Sequence, residues 1–109
     1  MTEKLLGKID FAEFGGMSDY PFMIGLQLGF SFNGSGVMDG GKYTVNITHS
    51  YKWANNDEKY QAYEKCLTMV YDTCKKAKVN YVSELKNKPV EVTMENGWFK
   101  DFRILEEVI

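Results

Sequence analysis

Few residues of this 109-residue chain are of the types from which catalytic or metal chemistry is built. His49 is the single histidine, and Thr48 and Ser50 flank it. A hydroxyl nucleophile needs its base on the same side, whereas neighbours in a strand point to opposite faces. Cys66 and Cys74 are the only cysteines. Along one helix they stand about 12 Å apart, beyond the reach of a disulfide. With His49 they match no zinc-ligand spacing, so neither a metal nor a cofactor is expected. Glu91 and Glu95 share a strand face, as an acid–base pair would and as solvated carboxylates also do. These residues point away from an enzyme.

Binding chemistry has more to work with. Residues 33–42, Asn-Gly-Ser-Gly-Val-Met-Asp-Gly-Gly-Lys, carry four glycines whose backbone N–H groups are of the kind that cradles phosphate. The spacing matches neither a Walker loop nor a dinucleotide fingerprint, and the segment reads more simply as a loop or wide hairpin connection. Gly25 and Gly29 fall on one face of a strand and leave it bare around Gln27. Such a strip is either a slot for a partner or a place where another element of the fold comes close. Asp19, Tyr20, Met38, Asp39, Lys42 and Trp53 belong to the flanking loops and are expected to be exposed. Loops on a rigid scaffold commonly carry recognition, so these six and the two glycines are the candidate partner-binding residues.

The elements that would position them are readable from periodicity. Residues 22–32 alternate, with Phe22, Ile24, Leu26, Leu28, Phe30 and Phe32 on one side. That is the pattern of a strand with one buried face. A strand over Leu5–Phe14 precedes it, with Ile9 and Phe11 in phase, ending at Gly15-Gly16. A third strand starts at Tyr43 and either breaks near Ser50 or runs through His49 to Trp53. Asn55, followed three residues later by Glu58, is a helix N-cap signature. From there Tyr60, Tyr63, Leu67, Val70, Cys74 and Ala77 form one apolar stripe, expected to cover the long strand. Lys75, Lys76 and Lys78 lie where the negative end of the helix dipole favours them. Residues 79–85 read as a short turn or a single helical turn. Val90, Val92 and Met94, then Asn96-Gly97, then Trp98, Phe102 and Ile104 spell a hairpin. The expected architecture is a single α+β domain over 1–109: an antiparallel sheet of about five strands, in βββ-α-ββ order, packed on one main helix.

Composition bounds the rest. The content is 44% hydrophobic and 26% charged with a net charge of −2, which provides no broad positive field for nucleic acid. No run approaches the roughly 20 apolar residues that cross a bilayer, and Met1–Lys8 does not look like a secretion signal. A soluble, intracellular protein is expected. Open sheet edges allow strand addition, so a homodimer is possible.

Several segments together resemble a group of small proteins encoded by tailed phages and prophages. They are Gly7-Lys8-Ile9, Phe14-Gly15, Gly25-Leu26-Gln27-Leu28, Ala77-Lys78-Val79, Val82, Leu85, Lys88-Pro89-Val90-Glu91-Val92-Thr93 and Phe102-Arg103-Ile104-Leu105-Glu106-Glu107-Val108-Ile109. The resemblance spans most of the chain and departs most over 33–53. It implies an accessory protein of the host bacterial cytoplasm, non-catalytic, that binds a host protein. A defence nuclease is the leading target, as for anti-CRISPR inhibitors. Sequestration of a nucleotide signal and assistance in phage DNA replication or recombination are the alternatives.

Overall fold

The sheet is assembled on its longest strand, β1 (Thr2–Gly16), in a computed structural model that describes residues 1–109. The remaining elements are β2 (Met23–Phe32), β3 (Ser35–Met38), β4 (Thr44–Asn46), α1 (Asn56–Lys76), β5 (Pro89–Glu95) and β6 (Trp98–Ile104). Short 3-10 turns lie at Val82–Leu85 and Glu106–Val108. All pairings are antiparallel, in the spatial order β3-β2-β1-β5-β6, with β4 also on β2. The fold is α+β with one helix on one antiparallel sheet, as expected, but the strands number six.

The extra strand comes from the glycine-rich segment. Asn33-Gly34 turns the chain, and Ser35–Met38 pairs back along Phe32–Gly29 of β2. After the interruption at Asp39–Lys42, β4 resumes on the same edge against Met23–Gly25. β3 and β4 are thus two pieces of one returning strand. β4 stops at Asn46 rather than continuing to Trp53, because the Asn46 carboxamide accepts from both the backbone N–H and the hydroxyl of Thr48. That Asx-type turn ends the extended run.

Phases differ from the simple alternation at one point. Between Ile9 and Phe11 the register on β2 slips by a residue, so Asp10 is bulged out. A bulge inverts the side on which later residues fall. Ile9 is therefore fully buried, while Phe11 lies on the opposite face beside Gly29 and is 41% exposed. The core face carries Ile9, Leu26, Leu28, Phe30, Val90, Val92 and Ile104. The sheet curls strongly enough that Phe30 of β2 stacks on Phe99 of β6, at 5.3 Å between ring centroids, and packs at a tilt on Phe102, at 5.0 Å. Gly7 permits this curl: a Cβ there would stand 2.3 Å from the Ser31 carbonyl oxygen.

The helix starts as its sequence predicts. Asn55 Oδ1 accepts from the Glu58 N–H at 2.7 Å, and Lys75 and Lys76 close the last turn. Its buried face is rotated from the expected stripe. Cys66, Thr73, Cys74 and Ala77 are buried and Met69 and Val70 pack on the core, whereas Tyr60 and Leu67 are exposed. Small side chains face the sheet, so the backbones approach too closely to seat a Tyr or Leu between them. The hairpin turn at Asn96-Gly97 holds both residues at positive φ (54° and 83°), the geometry that Asn-Gly supplies most readily.

Candidate functional site

The candidate residues separate into a structural group and an exposed group. Asp39 belongs to the first, and the expectation that it is exposed is overturned: only 6% of it is accessible. The strand interruption after Met38 leaves the Leu28 N–H without a backbone acceptor. The Asp39 carboxylate takes that place, accepting from Leu28 N at 2.9 Å through one oxygen and from Gly41 N at 3.0 Å through the other. One loop N–H, that of Gly41, is thus already held by a carboxylate that the chain itself provides. An anion would meet that negative charge, so the loop is not built as a phosphate cradle. Burial raises the Asp39 pKa, and the two backbone hydrogen bonds oppose the shift without cancelling it.

The two glycines do not leave an open strip. At Gly25 a Cβ would stand 2.3 Å from the Tyr43 carbonyl oxygen and 3.1 Å from Cys66 Sγ, so β4 and α1 occupy the space. At Gly29 the space is filled by the Met38 thioether, 2.7 Å from where a Cβ would be, and by Phe11. Close approach within the fold explains both residues. Met38 itself is 52% exposed as the lid over Gly29. Lys42 reaches across the curled sheet, donating from Nζ to the Lys100 carbonyl oxygen and lying over the Phe99 ring. It ties the interrupted edge to β6.

Asp19, Tyr20 and Trp53 lie at the other end of β2. Here the turn Met17–Phe22 meets the segment 47–55, joined by a hydrogen bond from Ile47 N to the Phe22 carbonyl oxygen. Tyr20 and Phe22 pack edge to face at 6.1 Å between centroids and both remain exposed. Tyr51 packs on Trp53 at 4.8 Å, and Trp53 on Tyr63 of α1 at 6.2 Å. Trp53 is half-buried rather than exposed, and its indole N–H is enclosed without an acceptor. A groove of about 690 Å³ runs past it, lined by Ile47, His49, Tyr51, Lys52, Lys59 and Tyr63 among others. Phe22, Ile47 and Tyr51, all exposed apolar residues, were not among the sequence candidates. Continuing the strand alternation past Asn46 would have placed Ile47 and Tyr51 in the core. The Asn46–Thr48 turn turns them outward instead.

Elsewhere the reactive groups are spent on structure. Glu91 pairs with Arg103 at 3.1 Å and Glu95 with Lys100 at 2.8 Å, so the two carboxylates are held by cations. Burial raises the pKa of both Cys66 and Cys74, which keeps the thiols protonated. The Tyr43 hydroxyl is also raised, first by burial and then by the Asp101 charge that it faces. No helix is long and apolar enough to cross a membrane.

No family model, curated protein or solved structure matches this chain.

Proposed function

We propose that this chain is a non-catalytic binding protein that grips a host protein through the aromatic end formed by residues 17–22 and 47–55. The observation that carries this reading is the grouping of Tyr20, Phe22, Ile47 and Tyr51, all exposed, around a half-buried Trp53 with an unpaired N–H. Trp and Tyr dominate the energetic centres of protein interfaces, where a rigid ring contributes area and a polar handle selects its partner. An acceptor on the partner would satisfy the indole N–H. Asp19 in the turn and Asp57 and Glu58 in the first helical turn are exposed at or beside this end. With Lys52 and Lys59 of the groove they give a rim of mixed charge, whose acidic members suit a basic target surface, such as the nucleic-acid groove of a defence nuclease. The phage-protein resemblance points to that same class of target, an anti-CRISPR or related anti-defence role in the cytoplasm of the host. The nucleotide-sponge alternative loses support, because the Gly25/Gly29 strip is filled and the glycine loop is closed on Asp39.

The test measures DNA cleavage by a panel of purified CRISPR nucleases with and without an excess of the protein. The expected result is inhibition of at least one nuclease, lost in Tyr20→Ala and Tyr51→Ala, variants whose far-UV spectra should match the parent because both side chains are about half exposed. Retention of that nuclease on the immobilised protein should be lost in parallel. Unimpeded cleavage throughout the panel would overturn the target class. Inhibition that survives both substitutions would overturn the assignment of the surface.

A further inference from the structure

β1 has two different halves on the side away from β2. Thr2–Lys8 pairs with β5 there, whereas Asp10–Gly16 has no strand beside it: the Tyr81–Lys86 segment flanks Asp10–Phe14 across a groove of about 470 Å³ without a backbone hydrogen bond to it. Hydrogen bonds on β2 show which groups are left open. The Leu26 N–H donates to the Tyr43 carbonyl oxygen and the Leu28 N–H to Asp39, both away from β1. Their cross-strand partners are Phe14 and Ala12. In an antiparallel ladder such a non-bonded pair turns its backbone groups outward on both strands. The N–H and C=O groups of Ala12, Phe14 and Gly16 therefore point to the open edge.

Beside this edge stands a helix face that the core does not use. Leu67 is 63% exposed and Tyr71 is 61% exposed, and with Phe14 they line a groove of about 660 Å³. Glu64, Leu67, Tyr71 and Lys75 recur at helical spacing on that face, acidic toward its start and basic toward its end. An exposed apolar stripe beside a row of unpaired backbone groups is the signature of an interface.

We infer that the occupant is a second copy of this chain, joined edge to edge about a two-fold axis at Phe14. The edge is self-complementary in that register. Phe14 pairs with Phe14 of the other copy, Ala12 with Gly16, and Glu13 with Gly15, so no like charges stand directly opposite. About six main-chain hydrogen bonds form across the seam. A two-fold axis perpendicular to the sheet places the two α1 helices antiparallel on the same side. Antiparallel copies bring Leu67 toward Tyr71 and set the Glu64 end of one helix against the Lys75 end of the other. That arrangement is complementary in shape and in charge. Pairing with a foreign strand would use the edge but not the matched polarity of the helix face. The inference does not rest on the target-binding reading.

Sedimentation equilibrium over a micromolar to submillimolar series tests it, together with amide hydrogen exchange at each concentration. The expected result is a reversible rise from the 12.5 kDa chain mass to twice that value, with exchange at Ala12, Phe14 and Gly16 slowing in step. The double substitution Leu67→Glu/Tyr71→Glu should hold the protein monomeric with an unchanged far-UV spectrum, since both side chains are exposed in the single chain. Glu64→Lys should weaken association about tenfold, the effect of about 1.4 kcal/mol, and adding Lys75→Glu should restore it. A chain monomeric throughout the series overturns the inference. So does a dimer indifferent to the Leu67/Tyr71 pair of substitutions, or one in which exchange at the three amides does not change with concentration.

Discussion

Replacing Asp39 tests whether one carboxylate substitutes for a missing stretch of sheet. In Asp39→Ala the buried Leu28 N–H loses its 2.9 Å acceptor, and the partly buried Gly41 N–H loses its partner at 3.0 Å. An unpaired buried donor costs about 1–3 kcal/mol, and the second, partly buried bond about 0.5–1.5. The sum is about 1.5–4.5 kcal/mol, which for a domain of this size lowers Tm by roughly 6–30 °C. Asp39→Asn retains one acceptor oxygen and is expected to lose about half as much. Asp19→Asn, in the exposed turn, should stay within about 0.5 kcal/mol of the parent. Urea unfolding followed by far-UV circular dichroism measures all three. The pH dependence adds a sign. Because burial raises the Asp39 pKa in the folded state, folding favours the protonated form. Its contribution is fully present below the ordinary aspartate pKa and is lost as pH rises through the raised one. The stability difference between the parent and Asp39→Asn should therefore shrink over that rise. An Asp39→Ala protein as stable as the parent, or a difference that grows with pH, would refute the reasoning.

Two further outcomes follow from the packing. Gly25→Ala should be strongly destabilising, by about 2 kcal/mol or more, because the new Cβ meets the Tyr43 carbonyl oxygen and the Thr44 backbone. Its cross-strand neighbour Gly15 has nothing within 4 Å, so Gly15→Ala should be neutral or slightly stabilising in the same thermal melt. Asn55→Ala removes the cap on the Glu58 N–H and should cost about 1 kcal/mol in chemical denaturation, with Asn55→Ser recovering most of it.

Features set by local chemistry were legible in the sequence. The Asn55 cap, the Asn96-Gly97 turn and the long alternating strand form where their residues predict, except that Phe22, expected in the buried row, lies outside β2 and is exposed. What escaped were features that depend on distant partners. A period of two cannot reveal the bulge at Asp10, since the slip exists only relative to β2. The helix stripe was misjudged at Tyr60 and Leu67 because spacing does not say how closely a helix will settle, and Gly25 and Cys66 let this one come close. Tyr20 and Trp53 were found as loop aromatics. Asp39 was misread because its type suits solvent, and only the interrupted strand gives it a reason to be inside.

The central position of β1 has a consequence for synthesis. Its neighbour β2 follows at once, but its other neighbour, β5, is made only after β3, β4 and α1. While a ribosome is still extending the chain, the whole outer edge of β1 stands open, from Thr2 to Gly16. Val90, Val92 and Ile104, all buried in the finished core, are then also missing. The last hairpin therefore acts as a clasp. Until it arrives, a nascent chain has the exposed edge and incomplete core that chaperones bind and neighbouring chains can pair with.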